Sequence, residues 1–261
     1  MYACEYERPS TVDQAVALLE AGGQALSGGQ TLIATMKQRL AAPGTLVDLG
    51  GITDLQGIRM EGDNLVIGGM VCHTDVAESE IVQKAIPALA CLAGGIGDRQ
   101  VRARGTIGGS LANNDPAACY PSAVLALGAT IITNRRRIAA DDFFLGMYAT
   151  ALEPNEIITA VSFPKPERAA YEKFKQQASR FALVGVFVAK HADGVRVAVT
   201  GAGSGVFRCA PLEAALNTDF SAQAVAGVAV PADGLNSDIH GSAAYRAHLV
   251  GVVTQRAVAS A

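Results

Sequence analysis

The residues of this chain with the most chemical potential lie in two glycine-bearing loops. The first, LSGGQTLIATMKQRL (26–40), sets Gly28 and Gly29 before a segment whose spacing predicts a helix starting near Gln30 or Thr31. The second, GTIGGSLANNDPAACYP (105–121), joins Gly105, Gly108 and Gly109 to the hydroxyls of Thr106 and Ser110 and carries a cysteine at 119. Successive backbone N–H groups in a glycine turn can converge on an anion, and a helix start adds partial positive charge. Glycine suits such a turn because a side chain would block either a positive φ or the close approach of the ligand. Each loop alone is better explained as a plain turn before a helix. Together they point to a ligand with two phosphates, a dinucleotide. A Walker A motif is absent. GAGSG (201–205) follows a predicted strand, but Val206 stands where a Rossmann fingerprint needs its third glycine, and no suitable acidic residue follows. The dinucleotide is therefore expected to be held without a Rossmann fold.

Few other residues suggest chemistry. His73, His191, His240 and His248 have no partner constellation, so no residue is assigned as a catalytic acid or base. The five cysteines are scattered, without CxxC pairs or zinc spacing, and read as reduced, mostly buried thiols. No metal site or iron–sulfur cluster is expected on this chain. Arg135-Arg136-Arg137 reads as a solvated turn, and a net charge of −3 gives no electrostatic reason to grip nucleic acid. Half the residues are hydrophobic and 17% are charged, a composition able to build a real core. With no signal-like region after Met1 and no apolar run near the length of about 18 residues that a membrane span needs, a cytoplasmic protein is expected.

The elements that must position these loops alternate irregularly. STVDQAVALLEAGG reads as a helix capped by Ser10, with Asp13 three residues on and Gly22-Gly23 ending it. TLVDLG (45–50) and NLVIGG (64–69) read as short strands, and Pro87 in EIVQKAIPALACLAGG predicts a kink or two short helices. SAVLALG reads as helix, ATIIT as strand and NRRR as a turn. PKPER is the best linker. Beyond it, LVGVFVAKHADGVRVAVTGAG predicts two strands joined at Ala192-Asp193-Gly194, and the alanine-rich tail from about 209 is helical in flavour. The expected class is α+β, with a first domain 1–165, divided near residue 55 into 1–55 and 56–165, and a smaller α+β domain 166–261.

Three motifs in order, ALSGGQTLIATMKQRL, GDRQVRARGTIGGSLANNDPAACYPSAVLALGA and EKFKQQASRFALVGVFVA, resemble the flavoprotein (medium) subunit of the molybdenum hydroxylases. That family includes aerobic carbon monoxide dehydrogenase, and its FAD domain is similar to the central part of xanthine dehydrogenase. The resemblance covers nearly the whole chain. It implies a two-subdomain FAD-binding domain of the p-cresol methylhydroxylase/vanillyl-alcohol oxidase type, followed by a C-terminal domain of the CO dehydrogenase flavoprotein kind. By resemblance, Leu26, Ser27, Gly28, Gly29, Gln30, Thr31, Leu32 and Ile33 form one FAD loop. Thr106, Ile107, Gly108, Gly109 and Ser110 form the second, on the other side of the pyrophosphate. Ile96 and Ile158 match residues that flank the adenine, and Lys175 falls where a basic residue approaches the flavin; plain core and a solvated strand lysine are the competing readings. Cys119 departs from the family, which commonly has an FAD-contacting aspartate in a PAAD motif where this chain reads PAAC.

The resemblance further implies an oxidoreductase subunit. In the family a large subunit oxidises substrate at molybdopterin, and a small subunit carries two [2Fe–2S] clusters. This chain's FAD passes the electrons to an external acceptor, commonly within a dimer of heterotrimers, a heterohexamer. A self-sufficient flavin-dependent oxidoreductase of the same fold is the alternative. A flavin-free scaffold is the third reading.

Overall fold

The computed structural model describes all 261 residues and arranges the strands in three sheets and a small ribbon. The first sheet is parallel, in the order β1 (Glu5–Glu7), β3 (Thr45–Asp48), β2 (Gln24–Leu26). The second is antiparallel, in the order β4 (Ile58–Glu61), β5 (Asn64–Gly68), β10 (Ile158–Pro164), β6 (Thr130–Thr133), β7 (Arg137–Ala139). A ribbon, β8 (Phe144–Gly146) with β9 (Ala149–Thr150), leads into it. The third sheet runs in sequence order: β11 (Arg168–Lys175), β12 (Ala182–His191), β13 (Gly194–Thr200), β14 (Phe207–Arg208). The helices in chain order are α1 (Val12–Glu20), α2 (Leu32–Lys37), α3 (His73–Glu78), α4 (Glu80–Ala85), α5 (Pro87–Gly94), α6 (Arg99–Arg102), α7 (Ile107–Asn113), α8 (Tyr120–Ala126), α9 (Ala140–Phe143), α10 (Ala210–Thr218) and α11 (Ala243–Ser260). None is long and apolar enough to cross a membrane. The α+β expectation holds.

Local chemistry sets the element boundaries. The cap of α1 is Thr11, not Ser10: the Thr11 hydroxyl accepts from Gln14 N, and the Gln14 side chain reaches back to Ser10 N at 3.0 Å. Gln14, not Asp13, closes this capping box, because it is the residue three beyond the cap. Pro87 splits its segment into two helices and occupies the first turn of the second, where its missing N–H leaves no bond unmade. α2 begins at Leu32, a residue or two later than the spacing suggested. The β12–β13 hairpin turns on Ala192-Asp193 alone, since His191 already pairs with Gly194. The tail forms two helices, but much of 219–242 between them is irregular.

Three clusters of apolar side chains follow the sheets. The smallest joins α1 to the first sheet through Ala15, Leu19 and Val47. The largest lies on the second sheet under α3–α5, α7 and α8. The third sheet is covered on both faces, which is why β12 reads as an unbroken apolar run. Along β12, Val184, Val186 and Val188 point into the cluster shared with α10 and α11. Phe187 and Ala189 point the opposite way, into the core of the second sheet. The third sheet thus forms part of the wall of the preceding layer, and β11 reaches the site described next.

Candidate functional site

The two glycine loops meet backbone to backbone at one end of the second sheet. A Cβ on Gly28 would stand 2.1 Å from Arg104 O and 2.7 Å from Gly105 Cα. Gly29 has φ of +71°, the left-handed region open to glycine at little cost. Ser27 and Thr106 share a hydroxyl–hydroxyl hydrogen bond of 2.6 Å across the junction. The two loops line one cavity of about 670 Å³, within the range of small-molecule and cofactor sites.

The loops use their N–H groups differently. Gly28, Gly29, Gln30 and Thr31 donate their backbone N–H groups to nothing else in the chain, leaving a consecutive row of donors beside the cavity. In the second loop Ile107 N donates to Val71 O, Gly108 N to Gly69 O, Gly109 N to Thr106 Oγ1 and Ser110 N to Thr106 O. Those donors are spent inside the protein. Gly108 is glycine for packing, since a Cβ there would lie 2.5 Å from Gly69 O. The first loop presents donors, and the second buttresses it.

Of the residues singled out in the sequence, Ser27 to Leu32, Ile96, Thr106, Gly108, Gly109, Ser110, Cys119 and Ile158 line the cavity. Leu26, Ile33, Ile107 and Lys175 do not. Ile107 is fully buried in the core, and Ile33 packs against Gly29. Ile158 is both core and wall, and Ile96 packs on the same core while facing the cavity. Lys175 is exposed, and Lys173 takes the cavity position instead. Strict alternation would put both lysines on one face, but the β11–β12 register shifts between Phe174 and Lys175 and breaks the period.

Lys173 Nζ donates to Gly95 O at 2.9 Å and Arg180 O at 3.0 Å, and it lies 3.5 Å from Cys119 Sγ. The Tyr171 hydroxyl, beside the same thiol, is buried without a hydrogen-bond partner. Two donors therefore surround position 119, where this chain has only a thiol, a weak acceptor. Arg102 Nη1 and Arg180 Nη1 add bonds to the carbonyls of residues 96 and 97, so three cations gather at the end of α5. Such cations suit the partial negative charge of a helix C-terminus. Sequence patterning gave no sign of this cluster, because its members come from α6, β11 and the turn before β12. The polar asparagine of the second motif is structural: Asn114 caps α7 in a left-handed conformation and donates to Gly146 O and Ala149 O.

Glu156 also borders the cavity, with its carboxylate fully buried. Arg136 binds it through Nε and Nη2, both at 3.0 Å, while Thr133 Oγ1 and Glu153 N complete its partners. The three arginines of the 135–137 turn stay exposed, and Arg136 reaches this carboxylate from the surface. These bonds, Arg136 first, hold the Glu156 pKa down to about 2. A depressed carboxylate pKa contributes stability above the unfolded value near 4.5, which is lost as pH falls toward 2. Glu156→Gln is expected to lower stability by about 1–3 kcal/mol at pH 7, and the gap from wild type should close between pH 4.5 and 2. Urea midpoints measured across that range check this; a constant gap refutes it.

The fold and site define a class: a protein without a Rossmann motif, whose cofactor-sized cavity is bordered by a row of free backbone donors on a short loop between a parallel strand and a helix. Residues 2–166 match the family described as the FAD binding domain in molybdopterin dehydrogenase. The chain is 36% identical over 276 residues to the carbon monoxide dehydrogenase medium chain of Hydrogenophaga pseudoflava, covering 98% of this chain and 96% of that one. It is 35% identical to the nicotine 6-hydroxylase medium subunit of Paenarthrobacter nicotinovorans, covering 99% and 97%. The structure superposes with a TM-score of 0.90 on carbon monoxide dehydrogenase from Hydrogenophaga pseudoflava, at 36% identity over 100% of this chain and 97% of that one. The chain belongs to the FAD-binding medium subunits of the molybdenum hydroxylases, and it is an oxidoreductase flavoprotein with FAD as its cofactor.

Proposed function

We propose that FAD lies along this cavity with its pyrophosphate on the free N–H groups of Gly28–Thr31, and that the chain is the electron-transfer subunit of a molybdenum hydroxylase. The single observation that carries this is the row of unspent donors, braced by a second loop that spends the N–H groups of residues 107–110 inside the chain. Bound FAD supplies the capacity to exchange electrons singly or in pairs. The chain's residues do the rest. The first loop meets the phosphate charge, Ile96 and Ile158 supply an apolar wall matching the adenine, and the Ser27–Thr106 bond holds the two loops at fixed separation.

Electrons would come from the [2Fe–2S] clusters of a small subunit, after substrate oxidation at molybdopterin in a large one, and leave to an external acceptor. A dimer of such heterotrimers in the cytoplasm is the proposed assembly. Residues 1–165 and 166–261 are its proposed domains, the first divided near 55; the apolar cluster between the third sheet and α10–α11, drawn only from residues after 169, supports the second of them. Relatives named for carbon monoxide and for nicotine resemble this chain about equally, so the substrate is proposed to be set outside it. Purification of the native assembly through a tag on this chain tests the reading. Co-purifying molybdopterin and iron–sulfur subunits are expected; the lone chain turning over an organic substrate at full rate would overturn it.

Cys119→Asp checks the wall. A carboxylate there meets both Lys173 Nζ and the unpartnered Tyr171 hydroxyl, two donors that already face the position. The variant is expected to melt a few degrees higher and to retain FAD several-fold more tightly, on the scale of one added charge-assisted hydrogen bond of about 1.5–3 kcal/mol reduced by desolvation. Thermal melts and FAD titration of the apoprotein read both effects. Unchanged retention would show that position 119 does not touch the cofactor.

A further inference from the structure

His73 opens α3 directly beneath the second loop, with its backbone N donating to Gly105 O at 2.9 Å. Its side chain borders the cavity yet is only 5% exposed. Nδ1 is closed off from solvent with no partner. The ring leans on Tyr120, centroids 5.3 Å apart, so one face is fixed by packing. The opposite edge lies against the glycine turn: a Cβ on Gly105 would stand 2.6 Å from Nε2. Burial, with Arg102 nearby, lowers the imidazole pKa to about 4, so the ring is neutral at ordinary pH and carries one N–H. With Nδ1 closed off from every partner, Nε2 is the ring nitrogen left to meet a ligand. Nε2 lies beside the wall of the cavity, where a neutral ring carrying its proton on that nitrogen presents a donor.

We propose that His73 contacts the cofactor, the Nε2–H of its neutral imidazole donating a hydrogen bond to an oxygen of FAD beside the Gly105–Thr106 turn. This accounts for two features together: a polar side chain buried at the cavity wall, and a glycine at 105 that makes room for it. Beside a loop that spends the N–H groups of residues 107–110 inside the chain, His73 adds a side-chain donor. The inference rests on the FAD reading above.

The test compares His73→Met, which fills similar space without a donor, with His73→Gln, whose amide N–H reaches a similar distance. FAD is titrated into the apoproteins by quenching of flavin fluorescence, and the apoproteins are melted separately. His73→Met is expected to raise the FAD Kd about tenfold, the scale of one hydrogen bond. Its apoprotein should melt at or above wild type, because the orphaned Nδ1 is gone. His73→Gln should recover most of the affinity. Wild-type affinity in His73→Met overturns the proposal, as does equal loss in both variants with lower apoprotein melting. Should His73→Met not fold, the imidazole 15N–1H spectrum of the wild type decides: a shifted Nε2–H resonance on adding FAD supports the contact, and an unchanged one refutes it. A wild-type chain that takes up no FAD would overturn the cofactor placement as well, which separates the two failures.

Discussion

Replacing Gly28 by alanine is expected to give a chain that folds but purifies without flavin. The added methyl would sit 2.1 Å from Arg104 O and 2.7 Å from Gly105 Cα, and both obstacles are backbone atoms. No side-chain rotation relieves such a contact, so the loops must separate. Overpacking of this kind costs about 1–3 kcal/mol of stability, which a chain this size should survive. Cofactor binding should suffer more. Separation strains the Ser27–Thr106 bond and moves the donors of Gly28–Thr31 off a common focus. A phosphate held by several such charge-assisted bonds, each of about 1.5–3 kcal/mol, loses at least two orders of magnitude in affinity when two are misplaced. The ratio of flavin to protein absorbance after purification, with FAD titration of the apoprotein, reads this directly. Gly62→Ala, in the β4–β5 turn, is the control: its φ of +60° makes it strained too, but no atom lies near the added methyl and neither it nor its neighbours line the cavity, so it should lose stability and keep flavin. If both variants keep their flavin, the loop junction is not the cofactor's cradle.

The same geometry marks where the sequence was legible. Paired glycines before a helix announce a tight turn, and the turn is there at Gly28-Gly29. What the string of letters does not show is which N–H groups are already spent. The second motif looks like a donor loop and is a brace, because Val71 and Gly69, some 36 to 39 positions earlier, supply the acceptors. Lys175 lies outside the cavity lining for a related reason. Period-two reasoning assumes an unbroken ladder, and one register shift beside Phe174 puts Lys173 in the cavity instead. The site's long-range members, His73, Glu156 and Arg180, come from three separate elements and have no shared spacing to detect. The fold was easier. Strand and helix signals are local, and errors such as Ser10 for Thr11 amount to one position. Even there the continuous apolar run of β12 told only that the strand is buried, not that its two faces belong to different cores.

That two-faced sheet is tied to the cavity by one buried cation, and its removal should be the most damaging single change to stability. Arg246 on α11 is 3% exposed. Its Nη1 donates to Leu183 O at 3.0 Å and Gly201 O at 2.9 Å, and its Nη2 binds both oxygens of Asp238. Those carbonyls mark the end of β12 nearest the Arg180-Phe181 wall and the exit of β13. Next to them, Gly201 N and Thr200 Oγ1 reach Pro116 O, and Thr200 also reaches Ala118 O, inside the second motif. Arg246→Met leaves two buried carbonyl oxygens unpaired while keeping the apolar stem filled. Each orphaned acceptor costs about 1–3 kcal/mol, and Asp238, half-exposed, recovers water, so the net loss is about 2–4 kcal/mol. For a chain of this length that is a melting point lower by roughly 6–12 °C. Arg246→Lys, keeping the charge but not the planar fork that spans four acceptor oxygens, should fall between. Because the released strand ends carry the 176–181 turn and contact the 116–118 loop, FAD retention should weaken in parallel with the melt. A variant melting within a degree of wild type would show that water replaces the guanidinium without loss; lower melting with undiminished FAD affinity would uncouple the third sheet from the cavity.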